Sequence, residues 1–181
     1  MKRILDLVVA LFGVVVLAAI SPIIALLIKL DSPGPVIFAQ TRVGRDERLF
    51  QCYKFRTMHV GTREGPTHEM KQRDVTRLGH VLRLTKLDEL PQLCNVIRGE
   101  MSLVGPRPCL PSQTELIAFR RDRGVTSYLP GITGLAQVMG VDMSDPERLS
   151  EIDAAYGKSQ SLGLDLRILW ATLFGGGLLL V

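Results

Sequence analysis

The chain has 181 residues, 46% of them hydrophobic and 22% charged, with a formal net charge of +4 and a pI near 9.2. That length supports one domain with its own core; Cys52, Cys94 and Cys109 are widely spaced with no pairing logic, which fits reduced thiols in a cytosolic setting. His59, His68 and His80 have no metal-ligand spacing, and an aromatic content of 6% with no reading module argues against a nucleic-acid binder.

From Leu7 to Ile28 the run LVVALFGVVVLAAISPIIALLI carries no charge and, as one straight helix, is long enough to cross a hydrocarbon core. Basic residues flank both ends: Lys2 and Arg3 before it, Lys29, Arg42, Arg45 and Arg48 after it. The positive-inside rule would hold both flanks in the cytoplasm. Pro22 removes one helical hydrogen bond, and the Ser21 hydroxyl is placed to satisfy a freed carbonyl, as such breaks in lipid require. The two arms, about 15 and about 8 residues long, would reach only about 22 and 12 Å, so neither crosses a bilayer. The expectation is a re-entrant helix over residues 1–30, broken at Ser21 and Pro22. A kinked single-pass helix remains as an alternative; a secretory signal is disfavoured by the poorly marked cleavage site.

After this segment DSPGP is turn chemistry. PVIFAQ and LFQCYKFRTM are β-branched and aromatic runs that read as a short hairpin. VGTREGPTHEMKQ reads as a polar loop. Val75, Leu78, Val81, Leu82 and Leu87 fit one apolar helix face that ends near Lys86. Pro91, tolerated only in a first turn, starts a second helix near Asp88, which runs to about Arg98 with Gly99 as its stop. Residues 113–124 and the stretch PERLSEIDAAYGK read as polar-faced helices. The glycines of YLPGITGLAQVMG would let backbone approach a ligand closely. DLRILWATLFGGGLLLV is an apolar tail too short to span, left to lie on a membrane or pack on the body.

Between Arg42 and Arg107 cationic side chains outnumber carboxylates 13 to 8, so the whole positive excess lies there and favours an anionic partner. Within it Asp88 and Glu89 stand side by side in LTKLDELPQLCNVIR. Two readings are open: an acidic first turn that suits any helix N-terminus, or a chemical pair. Arg107, fixed among three prolines and a glycine in VGPRPCLP, is either a solvated turn residue or a planar fork held for bidentate phosphate contact.

Taken in order, the Ser-Pro-bearing apolar segment, SPGPVIFAQTRVGRDERLFQCYKFRTM, LTKLDELPQLCNVIRGEMSLVGPRP and PGITGLAQV resemble the bacterial sugar transferases, and more narrowly the small monotopic phosphoglycosyl transferases. The match covers nearly the whole chain. It implies an α+β fold, a mainly helical cytosolic catalytic domain over residues 31–181 with a small β-hairpin, anchored by the re-entrant helix at the cytoplasmic face of the bacterial inner membrane. It implies transfer of a sugar-1-phosphate from a UDP-sugar to a polyprenol phosphate, usually undecaprenyl phosphate, with release of UMP and with Mg²⁺ as cofactor, to initiate assembly of a membrane glycoconjugate. By the same match Asp88 is the nucleophile and Glu89 binds or positions Mg²⁺, while Lys54, Arg107, Arg83 and Arg56 contact phosphate and Gln137 belongs to the donor site. A carboxylate that attacks a phosphate diester needs positive charge around it, which these cations supply. The chain departs from the family pattern at Leu129, Leu135, Met139 and Val141, which bears on the sugar pocket; its compact form points to an N-acetylated amino sugar. The rival reading is a non-catalytic, membrane-anchored interaction protein whose basic surface meets anionic lipid.

Overall fold

The computed structural model describes residues 1–62 and 74–175. Helix α1 (Lys2–Asp31) opens the chain and is followed by the antiparallel hairpin β1 (Ile37–Val43) and β2 (Leu49–Phe55), in which Phe38 faces Lys54 and Gln40 faces Cys52. Then come α2 (Arg77–Leu84), a 3₁₀ turn (Leu87–Gln92), α3 (Leu93–Arg98) and β3 (Ser102–Val104). Helix α4 (Thr114–Asp122) leads to β4 (Gly131–Thr133), which pairs in parallel with β3, and α5 (Leu135–Val138), α6 (Pro146–Ser159) and α7 (Leu162–Phe174) complete the body. The expected hairpin is present, as are the helices expected over residues 113–124 and in PERLSEIDAAYGK. Most of the expected polar loop, from residue 63 onward, and the terminal GGLLLV lie outside the described residues.

Where two arms were expected in α1, one helix runs through Ser21 and Pro22. The carbonyl that Pro22 leaves without its usual partner is that of Ala18, and the Ser21 hydroxyl donates to it at 3.4 Å. The buried residues Ala10, Leu17, Ile24 and Ile28 keep one helical stripe on both sides of the proline. That stripe packs on two cores: Ala10 joins Phe50, Val96, Met101 and Tyr156, whereas Leu17, Ile24 and Ile28 meet Phe55 and Leu82. Contact is close enough that a Cβ on Gly13 would lie 2.7 Å from Leu93 Cδ1.

Polar bonds fix the start of α1 equally firmly. Lys2 Nζ donates to Asp165 at 2.7 Å and to the Val104 carbonyl at 3.0 Å. Arg3 donates to the Val96 carbonyl at the end of α3, and buried Asp6 accepts from the Ser102 hydroxyl and the Leu103 N–H. Tyr156 donates to Asp165 at 2.7 Å, so α1, β3, α6 and α7 share one polar joint. The opposite side of α1 is apolar and exposed: Val8, Phe12, Val15, Ile23 and Leu27 face away from the body. It is the one helix among the described residues long and apolar enough to cross a membrane.

Candidate active site

Thr76 starts α2 by accepting from the Gly79 N–H, and the helix stops where Lys86 takes a left-handed backbone (φ 57°). That reversal aims the 3₁₀ turn at β2. An α-helix beginning at Asp88 was expected; Pro91 lacks the N–H that would continue one, and the regular helix begins only at Leu93. It ends at Gly99 (φ 82°), as the sequence indicated. Asp88 and Glu89 therefore occupy a first turn, and they face inward: Asp88 is only 7% exposed.

The two carboxylates have opposite surroundings. Glu89 Oε1 accepts from Lys54 Nζ at 2.6 Å and from Arg107 Nη2 at 2.9 Å. Burial pushes the Glu89 carboxyl up, but the charges and hydrogen bonds of Arg107 and Lys54 outweigh it and hold it at about 2. Asp88 has no hydrogen-bond or ion-pair partner among the described residues. Burial pushes its carboxyl above the ordinary range, with Lys54, Arg83 and Arg107 pulling it down and Glu89 adding to the rise. Adjacent carboxylates driven in opposite directions are suited to different chemical roles. An ordinary exposed helix cap would be neither buried nor shifted in this way.

Arg107 is fixed through its own backbone. Its carbonyl accepts from Arg120 Nη1 at 2.9 Å, that of Pro108 from Arg42 Nη1 at 3.1 Å, and that of Cys109 from the Val43 N–H at 2.9 Å. Arg120 in turn forms a buried ion pair with Asp153, both Nε and Nη2 reaching Oδ2 at 3.0 and 2.6 Å. Sequence reasoning missed Arg42, Arg120 and Asp153; nothing local marks them, since their partners lie far along the chain. The glycines of PGITG serve this loop as well. Cβ atoms on Gly105, Gly131 or Gly134 would lie 2.1–2.4 Å from backbone atoms of the neighbouring strand or loop, so the close approach expected toward a ligand is made between the two segments themselves.

Of the remaining sequence-identified residues, Arg83 lines the cleft and donates from Nε to Thr57 Oγ1 at 2.9 Å. Arg56 does not turn to the dyad. Its guanidinium is taken up by the C-terminal end of α1, donating to the carbonyls of Pro33 and Ser32 at 2.6 Å each and to Ser32 Oγ at 3.0 Å. A cation there complements the helix dipole, while the same side chain also borders the cleft. Gln137 lines the cleft, where its Nε2 donates to the Ile132 carbonyl at 3.3 Å and its buried Oε1 has no partner among the described residues. Ser21 and Pro22 lie outside the residues that line it.

Asp88, Glu89, Lys54, Arg56, Arg83, Arg107 and Gln137 share one cleft of about 830 Å³. That volume lies within the range of small-molecule sites, about 300–1,000 Å³. Both hydrogen bonds to Glu89 reach Oε1, which leaves Oε2 and the Asp88 carboxylate as oxygen donors on the cleft wall. One or two carboxylates with several waters and substrate phosphates is the donor set a Mg²⁺ ion takes, so these residues fit that ion. Among the described residues no group of three His, Cys, Asp or Glu would hold a metal unaided.

The bacterial sugar transferase family model matches residues 1–176. The chain is 42% identical to the UDP-glucose:undecaprenyl-phosphate glucose-1-phosphate transferase of Caulobacter vibrioides, over 95% of this chain and 68% of that protein. It is 38% identical to the UDP-N-acetylgalactosamine-undecaprenyl-phosphate N-acetylgalactosaminephosphotransferase of Aeromonas hydrophila, over 95% of this chain but 42% of that protein. The same identity, over 97% of this chain, relates it to the Escherichia coli K12 UDP-glucose:undecaprenyl-phosphate glucose-1-phosphate transferase, of which it spans 40%. On the extent of that match, the chain belongs to the bacterial sugar transferase family.

Proposed function

We propose that the protein transfers a sugar-1-phosphate from a UDP-sugar to undecaprenyl phosphate in two displacements on Asp88. The observation that carries this reading is the buried, unpartnered Asp88 carboxylate beside a Glu89 neutralised by Lys54 and Arg107. In the first step an Asp88 oxygen attacks the phosphorus that bears the sugar. The bond from that phosphorus to the bridging oxygen breaks, UMP departs with the oxygen, and an acyl phosphosugar remains on the enzyme. In the second step a phosphate oxygen of the acceptor attacks the same phosphorus, expels the Asp88 carboxylate and yields the sugar-diphospho-lipid. Splitting the transfer lets one pocket serve a soluble donor and a membrane-borne acceptor in turn.

Desolvation makes Asp88 more basic than a free carboxylate and so a better nucleophile. Arg83, Lys54 and Arg107 supply the charge that lets an anion approach an anion. Glu89 is the residue that would hold a Mg²⁺ ion, whose charge would stabilise the phosphate oxygens of the leaving group. We assign the donor to an N-acetylated amino sugar, as the name of the Aeromonas relative has it, against the glucose of the other two named relatives. The product would initiate a membrane glycoconjugate.

We further place the protein on the cytoplasmic face of the inner membrane as a monotopic protein, with the continuous α1 re-entrant through a bend at Ser21 and Pro22 and not through a break. What supports this is the packing of α1 on one body from Lys2 to Ile28. A spanning helix would carry half its length away from that body.

The test is intact-protein mass in nanodiscs with Mg²⁺ and UDP-N-acetylglucosamine, UDP-N-acetylgalactosamine, UDP-glucose or UDP-galactose, without acceptor. A gain of one sugar phosphate on wild type, absent from Asp88→Asn, is the expected result and names the sugar. UMP release that requires acceptor and leaves no adduct would remove Asp88 as nucleophile.

A further inference from the structure

The lining of the cleft is of two chemical kinds. One is the dyad and its cations. The other is apolar, a wall formed by Val9 of α1, Leu90 and Leu93 next to the dyad, and Leu169 and Leu173 of α7. A nucleotide sugar offers such a wall only the face of its base and one acetyl methyl group, whereas a hydrocarbon chain matches it along its length. The apolar lining is also continuous with the outside: Val9 lies between exposed Val8 and Phe12 (72% exposed), and Leu173 is itself 76% exposed. Trp170 and Phe174 stand beside it with ring centroids 4.2 Å apart. Lys86, immediately before the dyad segment, donates to the Thr172 carbonyl at 3.3 Å and ties α7 to the rim. A ligand whose head meets Asp88 and whose tail lies along this wall must be an anionic head on a hydrocarbon chain.

We propose that the wing between α1 and α7 seats the first isoprene units of the polyprenyl phosphate acceptor and delivers its phosphate to Asp88. This rests on the transfer reading above and assigns its second substrate a place. The chain passes between Val9 and Leu173 and leaves toward the exposed apolar faces of both helices. Its first units are thereby held by protein, and only the remainder by lipid.

The test uses the full chain in detergent with Val9→Gln and Leu173→Gln, two exposed positions at which a polar side chain leaves the core intact. Ile23→Gln, also exposed on α1 but outside the cleft, is the control for membrane contact. Acceptors are undecaprenyl phosphate and soluble geranyl phosphate, which has only two isoprene units. The expected result is a rise of about tenfold in KM for both acceptors in the two wing variants, from the lost apolar contact, with the donor-only mass gain retained. Loss confined to undecaprenyl phosphate, or matched by Ile23→Gln, would make the wing mere membrane contact and overturn the proposal; so would unchanged KM for both.

Binding without turnover separates this idea from the reaction itself. Trp170 is the chain's single tryptophan, and geranyl phosphate should change its fluorescence saturably, with about tenfold weaker binding in Leu173→Gln. That outcome without any sugar transfer would keep the wing and discard the reaction. Transfer with no saturable fluorescence change and wild-type KM in the variants would do the reverse.

Discussion

Among the described residues, the one cleft residue to which Arg120 hydrogen-bonds is Arg107, through its backbone carbonyl, which makes its contribution separable. Replacing it by methionine removes one side of a buried ion pair and strands Asp153, which is 3% exposed. Breaking such a pair costs about 3–5 kcal/mol, and at about 2–4 °C per kcal/mol for a chain of this size Tm should fall by about 6–20 °C. Replacing Asp153 by leucine as well removes the stranded charge, and apolar substitution of a whole buried pair is close to neutral. The double variant Arg120→Met/Asp153→Leu should therefore recover most of the Tm. It should not recover turnover. The Arg107 carbonyl still lacks the donor that held it at 2.9 Å, and displacement of a site group by about 1 Å costs about a hundredfold in rate. Thermal unfolding in detergent and UMP release measured on the same preparations read the two effects apart. A double variant with wild-type rate would refute the positioning argument; a single variant with wild-type Tm would refute the stability argument.

The acid limb of kcat/KM should lie above the ordinary aspartate value of 3.8, since Asp88 acts ionised and burial raises it; Arg83→Gln, which removes a charge that lowers it, should move the limb further up, and a pH–rate profile that shifts down contradicts the assignment. Glu89 has a folded value of about 2 against an ordinary 4.5, so its contribution is complete above 4.5 and is lost as pH falls toward 2. The difference amounts to about 3 kcal/mol. Denaturant titrations at pH 7 and pH 3 should show about 2 kcal/mol of it lost in wild type, since the folded carboxyl is still mostly ionised at pH 3, and a smaller loss in Glu89→Gln; equal losses would count against the pairing. Gly13→Val should lower Tm through overpacking of about 1–3 kcal/mol against Leu93, whereas Gly163→Val, with nothing within 4 Å of its Cβ, should not; equal shifts would deny the close approach of α1.

What the sequence disclosed was local. The hairpin followed from alternation on either side of a turn, and the dyad's segment from Pro91 and Gly99, residues that act on their immediate neighbours. The strands β3 and β4 are three residues each and pair across the chain, so no window of sequence carries their period. Arg56 and Arg107 look alike in KFRTM and GPRP; only the tertiary fold decides that one guanidinium reaches a helix end and the other a carboxylate. Ser21-Pro22 was recognised as a weak point in α1, yet the hydroxyl bond to Ala18 and the continuous buried stripe keep the helix running through it. The apolar tail was left between membrane and body; α7 packs on the body through buried Ile168 and leaves Trp170 exposed.

The bond from Lys2 to Asp165 spans 163 positions of the chain. Synthesis at about 5–20 residues per second separates the emergence of its two partners by about 8–30 s. Over that interval α1 gains its cover in steps: Phe50, Phe55 and Leu82 arrive first, then Val96 and Met101, and Tyr156 and α7 arrive last. α1 is thus made before every element that covers it, and the rest of the body folds against a helix whose sequence is already complete.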